Sequence, residues 1–139
     1  MPTVEDILMT KGPDVVVAGA DDTVLTAAKL MAQANVGSVI VKRQPASGRA
    51  AGEGGAAGGG IAGIFTERDL LCKVVAKGKD PAQVKLSQVM SKPVKTCRLS
   101  DDFQACVETM HREKIRHLAV VEEDALVGVI SIRDFLAAK

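Results

Sequence analysis

ADDTVLTAAKLMAQANVGSVIV (residues 20–41) and LSDDFQACVETMHREKIRHLAV (residues 99–120) are one pattern written twice, 79 positions apart. Val24, Ala27, Ala28 and Met31 of the first stretch fall on Phe103, Cys106, Val107 and Met110 of the second. Both sets occupy i, i+3, i+4 and i+7, the apolar stripe of an amphipathic helix. Asp21 and Ser100 precede the stripes, where a short side-chain oxygen can cap free amides. After each helix comes a β-branched run, residues 38–41 and 118–121, which reads as a buried strand.

Working outward, Gly63-Ile-Phe-Thr66-Glu-Arg-Asp69 returns as Gly128-Val-Ile-Ser131-Ile-Arg-Asp134, now 65 positions away. Residues 61–65 and 126–130 read as strands running into helices that start near Thr66 and Ser131. The offset drops by 14 because the first copy carries extra residues within QPASGRAAGEGGAAGGG, residues 44–60. The openings match too: residues 4–8 and 86–90 are short helices, each ahead of a β-like piece at 15–17 or 94–97. Each copy therefore reads short helix, strand, helix, strand, strand, helix. The class is α/β (α+β), a tandem repeat with copies at residues 1–79 and 80–139. Without disulfides one copy is marginal alone, and two packed face to face share a core.

Composition narrows the function classes. Of 139 residues 47% are hydrophobic, with three Phe and no Trp or Tyr, so the core is built from Val, Ile, Leu, Ala and Met. A net charge of +1 argues against a broad nucleic-acid face, and no aromatic platform exists for stacking bases. Cys72, Cys97 and Cys106 show no CxxC or Cys/His metal spacing and read as three reduced thiols with no metal. No apolar run approaches the ~20 residues that span a bilayer, and the first residues are neither a secretory signal nor a transit peptide. The expectation is a soluble, intracellular, cytoplasmic protein, or an organellar one if Met1 marks a trimmed chain.

The glycine-rich insertion contains Gly52-Glu-Gly54-Gly-Ala-Ala57, which formally satisfies GxGxx[GA]. That fingerprint needs a strand before it and a helix after it; here a strand follows, so a flexible hairpin insertion is expected. No GK[ST] sequence is present, which excludes a P-loop. The repeated Gly-x-x-[Thr/Ser]-x-x-Asp is different. Ordinary helix capping accounts for a hydroxyl and a carboxylate three residues apart, but two matching instances also suit a nucleotide. The carboxylate can accept both ribose hydroxyls, while hydroxyl and amides serve phosphate. Arg116–His117, where helix meets strand, can grip a phosphate; its counterpart Gly37–Ser38 is small and uncharged. His111 reads as solvated, and Glu122-Glu123-Asp124 as a polar hairpin turn. Asp69 and Asp134 are duplicated rather than differentiated into acid and base, and no triad spacing is present. Binding fits better than turnover, and no enzyme is expected.

Ala62-Gly-Ile-Phe-Thr-Glu-Arg-Asp69, Ile115-Arg-His-Leu-Ala-Val120 and Val127-Gly-Val-Ile-Ser-Ile-Arg-Asp134 resemble the cystathionine β-synthase (CBS) domain pair, or Bateman module. The resemblance spans the chain apart from the insertion and looks closest to stand-alone CBS pairs. It implies a β-α-β-β-α unit per copy, a pseudo-twofold around two clefts, and a homodimer. It further implies regulation without a required cofactor: AMP, ADP or ATP, with NAD(H) or S-adenosylmethionine as related ligands, is sensed and occupancy is read by a partner protein. One cleft would join Thr66, Arg68 and Asp69 with Thr96, Arg116 and His117. The weaker cleft would join Ser131, Arg133 and Asp134 with Val17, Gly37 and Ser38. Ala119 departs from the Pro usual in the family. The competing expectation is a ligand-independent dimerisation or partner-interaction domain, in which the hydroxyl–Asp pairs only cap helices.

Overall fold

The computed structural model describes residues 2–12, 15–43, 60–123 and 125–137, with side chains through Asp134. The elements follow in chain order: α1 (Val4–Lys11), β1 (Val17–Gly19), α2 (Val24–Ala34), β2 (Ser38–Lys42), β3 (Ile61–Thr66) and α3 (Glu67–Asp69), which continues as a π-helical stretch (Leu70–Val75). A 3-10 turn (Pro81–Gln83) leads to α4 (Leu86–Val89), β4 (Thr96–Cys97), α5 (Phe103–Glu113), β5 (His117–Glu122), β6 (Ala125–Ser131) and α6 (Ile132–Ala137). The α/β class and the repeat are as read from the sequence. The fingerprint at 52–57 and most of the insertion lie outside the described residues, as does Asp124.

Two three-stranded sheets have the same topology, β1-β2-β3 and β4-β5-β6, each with a parallel pair followed by an antiparallel one. Even the irregularities repeat: the register shifts at Val41/Lys42 and again at Val120/Val121. Helices α2 and α5 both end on a left-handed residue, Asn35 (φ 57°) and Lys114 (φ 60°). Their starts differ from expectation. Thr23 and Asp102, not Asp21 and Ser100, accept from Thr26 N–H and Ala105 N–H. The helices begin at Val24 and Phe103, so the residue immediately before each is the one whose oxygen reaches the free amide two residues into the helix.

The described residues divide into two compact units: residues 16–43 with 60–94, and residues 2–15 with 95–137. The packing division thus runs across the sequence repeat, because each opening helix sits in the unit of the other copy's strands. In the first unit Leu86 and Val89 join Val24, Ala27, Val39, Phe65 and Val74 in one core. In the second, Val4, Ile7 and Leu8 join Phe103, Cys106, Met110, Leu118 and Ile130. Equivalent backbone bonds hold the helices in place. Leu86 N–H donates to Asp22 O as Val4 N–H does to Asp101 O, both at 2.9 Å; Ser87 to Ala20 is repeated as Glu5 to Leu99, both at 3.0 Å. A three-stranded sheet has an apolar face to cover, and a borrowed helix closes a separate core in each unit.

The motif glycines belong to this packing. A Cβ at Gly63 would stand 2.8 Å from both Ser91 O and Met90 Sδ. At Gly128 it would stand 2.9 Å from Leu8 Cδ1. Both glycines are there to let α4 and α1 approach the strands.

Candidate functional site

Each unit places the expected residues at one end of its sheet. In the first, Ser38 is the register partner of Thr66, and Glu67 N–H donates to Gly37 O at 3.1 Å. Val17 pairs with Ile40 on the neighbouring strand. In the second, His117 is the register partner of Ser131, Ile132 N–H donates to Arg116 O at 2.9 Å, and Thr96 pairs with Ala119. Residues 37–38 and 116–117 therefore flank the hydroxyl–Asp turn of their own unit. Thr66, Arg68 and Asp69 belong to one unit and Thr96, Arg116 and His117 to the other.

Asp69 is 5% exposed and heavily engaged. Its Oδ2 accepts Thr66 N–H at 3.0 Å and the Thr66 hydroxyl at 3.2 Å. Its Oδ1 accepts the Ser91 hydroxyl at 2.9 Å and pairs with the Lys73 ammonium at 3.0 Å. Thr66 Oγ1 in turn accepts Asp69 N–H, completing a capping box. The same Thr-x-x-Asp box starts α1, where Thr3 and Asp6 exchange bonds of 2.9 and 3.2 Å. Asp134 is less committed: its Oδ2 accepts Ser131 N–H at 2.8 Å and pairs with Lys11 at 3.0 Å, while Lys11 also donates to Val129 O.

Neither lysine was signalled by the sequence motifs. Lys73 is one helical turn beyond Asp69, a spacing that suits an ion pair. Lys11 reaches Asp134 across 123 positions of chain, and only the exchange of opening helices brings it there. Arg68, Thr96, Arg116 and Arg133 are exposed, with Val17 and Ser38 buried.

His117 is half-buried, and its pKa is lowered from 6.5 to about 4, first by burial and then by the Lys11 and Arg133 charges, with Arg116 adding to them and Asp134 opposing. At neutral pH it is an uncharged imidazole, with one ring nitrogen able to donate a hydrogen bond and the other able to accept one. The positive charge at this sheet end therefore comes from Lys11, Arg116 and Arg133. His111 is exposed, as expected. Glu122 does more than mark a turn: it accepts Leu99 N–H at 2.7 Å and Arg98 Nη2 at 3.3 Å, tying β5 to the turn after β4.

Of the cysteines, Cys72 is exposed while Cys97 and Cys106 are buried. Burial raises the pKa of both buried thiols, whose sulfurs lie within 4.8 Å of one another. All three are free thiols, and Cys97 and Cys106 come together because β4 ends beside α5.

With this geometry in view, comparison with known proteins is informative. The CBS domain family model matches residues 4–52 and 86–139, so the chain belongs to the CBS domain family and carries two copies. It is 30% identical over 142 residues to the mitochondrial CBS domain-containing protein CBSX3 of Arabidopsis thaliana, covering 98% of this chain and 64% of that protein, slightly under two thirds of its length. The crystal structure of a CBS-domain containing protein of Agrobacterium tumefaciens is similar at a TM-score of 0.81 and 34% identity, over 98% of both chains. A CBS domain protein of Pyrobaculum aerophilum, solved in complex with AMP, is similar in fold at a TM-score of 0.72 and 24% identity, over 95% of this chain and 88% of that one. Among the described residues no helix is long and apolar enough to cross a membrane.

Proposed function

We propose that this chain is a regulatory module that binds AMP, ADP or ATP and conveys occupancy to a partner protein. The observation that carries the reading is the repeated sheet end, where a hydroxyl–Asp turn (Thr66/Asp69; Ser131/Asp134) adjoins residues 37–38 or 116–117. A carboxylate there matches vicinal ribose hydroxyls, and a hydroxyl with arginines matches phosphate. The backbones at Val17 and Thr96 supply amides for adenine, and the AMP complex of the Pyrobaculum protein supports the choice of ligand. NAD(H) and S-adenosylmethionine share the adenosyl part. Lys11, Arg116 and Arg133 make the second unit's end the better place for phosphate, with His117 as a neutral partner.

For Asp69 to take a ribose it must release Ser91 or Lys73, which holds affinity to the micromolar–millimolar range, roughly −8 to −4 kcal/mol. Calorimetric titration with the three nucleotides is the test. Heat and a raised Tm are expected with at least one, and Arg116→Ala should weaken binding about tenfold or more, as should alanine at the carboxylate that takes the ribose, Asp69 or Asp134. Absence of heat and of any Tm shift sinks the reading. Loss with Asp134→Ala but not with Asp69→Ala would move the ribose to the other carboxylate.

A second reading rests on a specific observation. The Thr66–Asp69 box is fully satisfied as a cap, and the helix it starts leaves Leu71 and Val75 60% and 57% exposed, four residues apart on one face. That face suits dimerisation or partner binding without a ligand. A mass measurement in solution that drops on Leu71→Glu with Val75→Glu, beside silent calorimetry, would favour it.

A further inference from the structure

We infer that Cys97, Asp101 and Cys106 form a binding site for a zinc-type divalent cation. One ligand atom from each, two Sγ and a carboxylate oxygen, lies within 4.8 Å of the other two. The donors come from three local structures. Cys97 ends β4, Asp101 sits in the following turn, and Cys106 is in the first turns of α5. All three belong to the second unit.

The first unit provides the control. The positions 79 residues earlier are Ala18, Asp22 and Ala27, and both alanines are 0% exposed. Asp22 Oδ2 accepts Gly19 N–H at 2.8 Å, just as Asp101 Oδ2 accepts Arg98 N–H at 2.9 Å. The carboxylate is therefore part of the shared scaffold, where it holds the turn. Only the second unit adds a thiol at both alanine positions beside it. A buried cysteine commonly packs as a small apolar group, but alanine already fills that need in the first unit.

The donor set is chemically specific. Two thiolates and a carboxylate match Zn²⁺, with bonds of about 2.3 Å to sulfur and about 2.0 Å to oxygen. Tetrahedral bonds of those lengths place the ligands roughly 3.5 Å apart, a small closure from the observed spread. The Arg98 amide orients the carboxylate from behind, as outer partners of metal ligands do. Its other oxygen takes no hydrogen bond among the described residues. Three protein ligands leave a fourth position for water or an incoming group.

The test is titration of the reduced full chain with Co²⁺, in a Cys72→Ser background that removes the exposed thiol. One Co²⁺ per chain is expected, with a thiolate-to-cobalt charge-transfer band and tetrahedral d–d absorption, both displaced by Zn²⁺. Cys97→Ala with Cys106→Ala should abolish the bands while leaving the circular dichroism unchanged, because the first unit folds with alanine at both positions. Asp101→Asn keeps an oxygen for Arg98 N–H and should weaken binding roughly 10- to 100-fold. Absence of a charge-transfer band overturns the site, and so does a band that survives in the double alanine variant.

Discussion

At the residue scale, His117 and Lys114 each carry a measurable consequence. The folded-state pKa of His117, about 4, is below the 6.5 of an unperturbed imidazole. The unfolded chain therefore takes up the proton first, and stability is full above pH 6.5 and falls as pH drops toward 4. The loss is on the order of 3 kcal/mol at most. Denaturant titrations at pH 7 and pH 4.5 should show it in the native protein and show it reduced in His117→Gln. Lys114 stands in left-handed backbone at φ 60°, where Asn35 stands in the first unit at φ 57°. A lysine gains nothing from that conformation, whereas asparagine and glycine tolerate it. Lys114→Gly should raise stability by about 0.5–1 kcal/mol in the same titrations.

At the element scale, the two motif glycines make a graded pair. At Gly63 an added methyl meets the Ser91 backbone carbonyl, which is held by the mutual bonds of Ile64 and Ser91 at 2.8 and 3.0 Å and cannot yield. At Gly128 it meets the end of the Leu8 side chain, which can turn aside. Gly63→Ala should cost roughly 2–3 kcal/mol and Gly128→Ala less. Combining Gly128→Ala with Leu8→Ala should be less than additive, since the second change vacates the space the first requires. Thermal unfolding of the single and double variants checks both statements. The repeated strands, the long helices and their period were legible from the sequence because a one-faced pattern is local. The helix starts at Thr23 and Asp102 were displaced by two residues from Asp21 and Ser100, because several short polar residues competed for one cap.

At the scale of the whole molecule, the exchange of opening helices decides what can fold alone. A fragment of residues 16–94 contains every element of the first unit's core, including Leu86 and Val89. A fragment cut at the repeat boundary, residues 1–79, lacks that helix and carries α1 without its partners Phe103, Met110 and Ile130. The first should unfold cooperatively in a thermal melt, and the second should show no cooperative transition. The candidate site was legible to a similar degree. The hydroxyl–Asp pairs stand out from the repeat, and Arg116–His117 from its place where helix meets strand; each lies at the end of a sheet. Lys11, Ser91 and the Cys97–Cys106 neighbourhood were not, since each depends on segments far apart in the chain or on strand and helix lying side by side.

The sequence by itself determined the duplication, the order of elements and the class, since apolar periodicity and turn residues act over a few positions. Tertiary structure alone decided which copy each opening helix completes, that Lys11 holds Asp134, and that His117 stays neutral. Those outcomes depend on burial and on charges brought within reach by packing, and no local pattern encodes a distance across the core.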